Sequence, residues 1–403
     1  MRTKSYIKTK VACYLGYITQ AIAINLLPLL YLTFQNEFSV SLSQLGLLVT
    51  IMFIVQIVVD LLASRFGKYL PYRSGSIASF ALASFGLVMM CVLPSMTTDP
   101  YVGVLISFLL LSIGGGLIEV LISPIMDAIP QEGKVGEMSL LHSFYCWGVV
   151  AVVLLSTIFF ATIGVEYWRW LVLLWAVVPA CTAALFAIVP LPSKPEEDLN
   201  EHTSSSSLMR SGLFWLMMVL MLLSGATELA PAQWASFFAE HGLGISKFIG
   251  DLLGPCAFAL FQGVSRVVFS QMTRHHEPRR LLLVHAIGCV IGYAIVILVP
   301  NPLVSLLGFC LCGWCIGPMW PGMLSLSSER FPYGGTSMFA LLALCGDIGC
   351  SVAPLMVGAV TDCLAAADRS PSFAMRGGFA VCMIFPVLLV VGLLLLRKRK
   401  MKR

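Results

Sequence analysis

The chain reads as an all-α polytopic membrane protein, twelve transmembrane helices in two pseudo-symmetric six-helix bundles. Three observations predict it. Of the 403 residues 58% are apolar and only 11% charged, with a mean hydropathy of +0.91. So little charge cannot cover a soluble surface, and a lipid bilayer has to act as the solvent. Twelve apolar runs follow one another, most of about 20 residues, the length that crosses the hydrocarbon core as a helix. A polar stretch at 193–211 then divides the runs six and six.

Taken in order, the first run is 11–34, preceded by Arg2, Lys4, Lys8 and Lys10. It is longer than a signal-peptide core and lacks a small-residue cleavage site, so it stays as a membrane helix; Gln20, Asn25 and Tyr31 are its neutral donors and acceptors. The second, 45–66, places Gln56 and Asp60 four apart on one face, above Arg65 and Lys68. The third is 74–93. The fourth, 101–126, holds Gly114-Gly115-Gly116 and Glu119, with Ser123 and Pro124 after them. Ser112, Gly115, Gly116, Glu119 and Ser123 share a small, polar helical face, which lets a neighbouring helix approach closely. The fifth, 138–162, carries His142 and Tyr145 three residues apart on one side. The sixth, 168–189, opens with the belt residues Trp168 and Trp170.

In the second half the seventh run, 212–238, contains Glu228, Pro231 and Trp234. Pro231 frees the carbonyl of Thr227, and irregular backbone at that depth is tolerated beside a cavity. The eighth, 248–272, repeats the four-residue spacing of the second with Gln262 and Arg266. The ninth is 281–299. The tenth, 303–327, has Cys310, Cys312 and Cys315, then Trp320 and Pro321, and Glu329 closes it. A helix spreads those three thiols over different faces with no histidine near, so they read as packing residues and no metal is expected. The eleventh, 337–361, puts Asp347, Ser351 and Pro354 on one face, and 373–396 is the twelfth.

Basic residues orient the array. If the N-terminus is cytoplasmic, twenty of the 25 lysines and arginines fall in inside segments or the tail, and four outside: Arg169, Lys247, Arg369 and Arg376. That asymmetry predicts a multi-pass protein of the cell membrane with both termini cytoplasmic. It also accounts for the net charge of +5 without nucleic acid as a partner. The stretch 193–211, acidic at Glu196, Glu197, Asp198 and Glu201 and then serine-rich at Ser204–Ser207, reads as a flexible cytoplasmic linker. It separates 1–192 from 212–403, two halves of equal length that predict a twofold along the membrane normal. Gly116 and Pro124 of the fourth run recur at the same offset as Gly313 and Pro321 of the tenth.

With these residues in view, the chain resembles the major facilitator superfamily over nearly its whole length, and within it the branch of fucose and glucose/galactose proton symporters. The likeness is carried by Glu119-Val-Leu-Ile-Ser123-Pro124, by Leu140-Leu141-His142-Ser143-Phe144 and Gly148, and by Glu228 with Trp234. Pro321 with Glu329-Arg330-Phe331-Pro332, and Asp347-Ile-Gly349 with Pro354, Gly358 and Asp362, fit it too. Departures are specific. Ser123 stands where the branch has asparagine, Leu26–Pro28 where its fucose members have an acid, and Ser64 where the loop motif after the second span has aspartate.

Few polar residues lie at lipid depth. An unpaired carboxylate there costs several kcal/mol or keeps its proton, and such acids commonly mark ion pathways. Glu119 and Glu228 are therefore the proton-coupling candidates; the plain alternative for each is a buried acid satisfied by its neighbours. Gln20, Asn25, Ser123, His142, Tyr145 and Asp347 offer hydrogen bonds to a small polar solute. Trp234 and Trp320, each beside a helix-breaking proline, offer a stacking face. Asp60, Arg65, Arg266 and Glu329 read as gating charges that latch the halves, with Glu329 the expected partner of Arg266.

The function expected is secondary active transport by alternating access, with import of a small polar solute, a monosaccharide, by proton symport. The alternative is proton-coupled efflux of a lipophilic or cationic compound, for which an apolar, acid-lined site would be needed. No nucleotide-binding loop supplies ATP. No large exposed loop with paired catalytic groups marks a membrane enzyme. A monomer without cofactor, working on its substrate and protons in the bilayer, is the expectation.

Overall fold

The computed structural model describes residues 6–40, 42–193, 205–239, 243–244 and 256–396. All regular structure among them is helical, and ten helices are long and apolar enough to cross a membrane. The other two expected spans are the second, a helix at Leu42–Phe66, and the eighth, described over Ala257–Met272. Most of the linker, and the start of the eighth span, lie outside the described residues.

Prolines decide where spans break. The first runs Ile7–Leu29, stops just past Pro28, and resumes as Tyr31–Phe38. The tenth, expected to be continuous, is interrupted at Gly317 and Pro318 into Pro302–Ile316 and Met319–Arg330. The twelfth breaks at Met383, between Pro371–Cys382 and Ile384–Leu395, where Pro386 has no N–H for the Cys382 carbonyl.

Residues cluster into two compact units. One comprises Met1–Glu132, Phe144–Leu208 and Phe331–Leu344; the other Gly133–Ser143, Met209–Arg330 and Cys345–Arg403. Inside each the packing order is the same. In the first unit the third span (Tyr72–Met96) packs on the fourth (Pro100–Ala128) and the sixth (Trp168–Ile188), and the fourth also meets the first and second. In the other the ninth (Pro278–Leu298) packs on the tenth and twelfth, and the tenth also meets the seventh (Gly212–Phe237) and eighth. Equivalent glycines allow the tightest of these contacts. A Cβ at Gly86 would collide with the Ser107 carbonyl and Leu111 amide of the fourth span. One at Gly292 would press the Gly308 carbonyl and Cys312 amide of the tenth.

Two arginines staple the outer helices of each unit. Arg73, at the start of the third span, donates from Nη1 to the Phe186 and Ala187 carbonyls (2.9 and 2.6 Å) and from Nη2 to that of Val189 (2.9 Å). Arg169, at the start of the sixth, donates back from Nε to the Cys91 carbonyl at 3.2 Å. The other unit repeats the exchange. Arg279 donates to Leu393 and Leu394 (3.1 and 3.3 Å), and Arg376 to Val296 and Ile297 (2.6 and 3.2 Å). Arg73, Arg279 and Arg376 take the last carbonyls of a helix, so they also meet the negative end of its dipole and are favourable twice over.

Candidate functional site

In the first unit three spans converge on Glu119. Gln20 of the first donates from Nε2 to Glu119 Oε2 at 2.6 Å, and Gln56 of the second donates to the same oxygen at 3.1 Å. Oε1 receives neither bond. Among the described residues these two amides are the polar partners of the carboxylate, and both are neutral. The small face predicted from spacing makes this possible: a Cβ at Gly116 would lie against Gln56 and Val59. One turn on, Ser123 shares a 2.7 Å hydrogen bond with Tyr17, and both are buried. Asn25 turns away, its amide donating to the Ala21 carbonyl of its own helix at 3.0 Å. Tyr145 is half-buried in the fifth span, and Asp60 is fully buried while Arg65 on the same helix is exposed.

In the other unit the matching positions carry a different chemistry. Gln262 donates from Nε2 to Glu228 Oε1 at 2.5 Å, and Arg266 Nη2 stands 3.7 Å from that oxygen. Sequence reasoning expected Glu329 to partner Arg266. The acid the structure sets against it is Glu228, because Arg266 is buried at the bend of the seventh span whereas Glu329 is exposed near the end of the tenth. Arg266 also donates from Nε to the Gly317 carbonyl at 2.7 Å and from Nη1 to the His142 carbonyl at 2.8 Å. Gly317 is the residue whose helical donor Pro321 removes, so the guanidinium fills the vacancy left by the broken tenth span. Ser139 closes the same junction by donating to the Arg266 carbonyl at 2.8 Å.

The carbonyl freed by Pro231 is treated alike: the Tyr293 hydroxyl, from the ninth span, donates to Thr227 O at 3.0 Å. Neither Tyr293 nor Tyr17 was among the sequence candidates. A buried tyrosine within an apolar run was the available signal, since its hydroxyl requires a partner. Trp234 donates from Nε1 to the Pro354 carbonyl at 3.0 Å, and Trp320 lies against Gly346, so both indoles face the eleventh span (Gly335–Ala366). Asp347, on the eleventh span, and His142, on the fifth, are both buried, and Ser351 donates to the Asp347 carbonyl at 2.8 Å. No cluster of metal-ligating side chains occurs among the described residues.

Comparison with known proteins places this architecture. The family model of the Major Facilitator Superfamily matches residues 13–354. The membrane protein MosC of Rhizobium meliloti is 22% identical over 330 residues, covering 81% of this chain and 77% of that protein. Among solved structures, FucP in the outward conformation superposes with a TM-score of 0.77 at 18% identity, over 96% of this chain and 99% of that one; FucP is the fucose:proton symporter of E. coli. The proton:xylose symporter XylE, bound to 6-bromo-6-deoxy-D-glucose, gives 0.79 at 14% identity over 95% and 94%.

Proposed function

The chain belongs to the Major Facilitator Superfamily, and from that premise we propose that it imports a small polar solute, a monosaccharide, by proton symport with Glu119 as the proton carrier. The observation that carries this reading is the neutral company Glu119 keeps. Gln20 and Gln56 both address Oε2, so they stay bonded whether or not Oε1 holds a proton. Glu228 differs in having a guanidinium beside it. A carboxylate without a cation is the group whose charge must be removed before its surroundings can cross from one access state to the other, and a proton removes it. Polar side chains suited to sugar hydroxyls lie on the first and fourth spans, Gln20 and Ser123, and on the fifth, His142 and Tyr145.

In this reading the halves 1–192 and 212–403 rock about a midplane site, joined by 193–211, with both termini on the cytoplasmic face of the cell membrane and the monomer as working unit. Arg266 is the gate. It ties the fifth, seventh and tenth spans through His142 O, Glu228 and Gly317 O.

Glu119→Gln tests the proposal. The variant keeps size and hydrogen bonding but mimics the protonated form permanently. It should exchange substrate across proteoliposome membranes at rates near those of the unaltered protein, yet fail to concentrate it under a pH gradient. Accumulation that survives the substitution would remove Glu119 from the coupling path.

A further inference from the structure

We propose that Glu228 is a substrate acceptor, and that the group it takes is a hydroxyl of a neutral polyol. The inference rests on the transport reading above and assigns one contact within it. Its basis is the division of labour between the two carboxylate oxygens. Oε1 is engaged, by the Gln262 amide at 2.5 Å and by the Arg266 guanidinium at 3.7 Å. Oε2 is buried and has no hydrogen-bond partner among the described residues. A carboxylate oxygen held out of water without a donor is costly, more so than a neutral acceptor. The chain nevertheless maintains it, on a backbone fixed by Pro231 and by the Tyr293 hydroxyl on Thr227 O. A ligand that brings a donor to Oε2 removes that cost on binding.

Charge decides what the donor is. Glu228 and Arg266 cancel, so a hydroxyl completes the hydrogen bonding and leaves the site neutral. An ammonium would leave it with an uncompensated positive charge at lipid depth, which is disfavoured.

The experiment is counterflow in proteoliposomes with D-glucose, D-galactose, D-xylose and L-fucose, followed by competition with the monodeoxy analogues of whichever sugar exchanges best. In the unaltered protein one analogue should compete about tenfold or more weakly than its parent, the size of a hydrogen bond to a charged group. In Glu228→Gln that analogue and its parent should compete equally, the half-saturation for the parent should rise by a similar factor, and the pH profile of uptake should not move. If Glu228→Gln does not reach the membrane, Glu228→Asp replaces it: the charge opposite Arg266 is kept while the carboxylate retreats by one methylene, and the same selective loss is expected. Deoxy ratios identical in the variant and the unaltered protein overturn the inference, as does a shifted pH profile with unchanged affinity. Should none of the four sugars exchange in the unaltered protein, the sugar reading itself fails, a result separable from a flat deoxy series.

Discussion

Proline does two jobs in the second unit, and both are read at single residues. Pro231 and Pro321 each remove the N–H that would have bonded a carbonyl four residues earlier. The freed oxygens, Thr227 O and Gly317 O, are taken by the Tyr293 hydroxyl and the Arg266 guanidinium at 3.0 and 2.7 Å. A bend is thereby converted into a contact between spans, and the backbone around Glu228 and Trp320 is held in one geometry. Tyr293→Phe keeps the ring in its buried place and removes only the donor, leaving Thr227 O unsatisfied. A loss of about 1–3 kcal/mol follows, read as a melting temperature a few degrees lower for the detergent-solubilised protein; no change would mean that Thr227 O finds another donor. The sequence showed the prolines and the carbonyls they free. It could not show the acceptors' partners, because Tyr293 lies 66 residues from Thr227 along the chain and Arg266 lies 51 from Gly317.

At the scale of helices, the arginine staples help to hold the third and sixth spans, and the ninth and twelfth, together at their ends. Lipid offers no hydrophobic force between helices, so close glycine contacts and hydrogen bonds supply it. Arg73 and Arg279 entered the sequence reading only as positive charges that set orientation. Their position one residue into a helix is what lets each reach the closing carbonyls of an antiparallel neighbour. Reach and fork geometry matter here: Arg73 serves three carbonyls from two nitrogens, which a lysine ammonium on its flexible stem does not reproduce. Arg73→Lys should keep surface charge and membrane orientation while costing about 2 kcal/mol of stability, and Arg279→Lys, with two such bonds, should cost less. Thermal denaturation of the two variants in one detergent decides it; equal, negligible losses would reduce the staples to rim charges.

Over the whole molecule the repeat is the organising fact, and it was partly legible beforehand. Six apolar runs on either side of a polar stretch predicted twelve spans, and ten of them stand as helices long and apolar enough to cross a membrane, since lipid imposes length and hydropathy on every span. Residue correspondences were dimmer, because equivalent positions keep a role and not an identity. Gln56 and Gln262, Arg73 and Arg279, and Gly86 and Gly292 are each 206 positions apart and match; Asp60 and Arg266 share that separation with opposite charge. The spacing showed that inversion; it could not show that the guanidinium it places in the second unit would stand beside Glu228. Orientation follows from a different asymmetry, twenty basic residues against four in the alternate segments. We propose on this ground that 1–10, 193–211 and the tail belong to the cytoplasmic side, as the positive-inside rule expects. A single cysteine placed at Ser205, in a variant otherwise depleted of cysteine, should therefore escape a membrane-impermeant maleimide applied to intact cells and react once the membrane is permeabilised. A cysteine placed at Thr98, between the third and fourth spans, should behave in the opposite way. Labelling of Ser205→Cys from outside would invert the topology and, with it, the direction in which Glu119 must carry its proton.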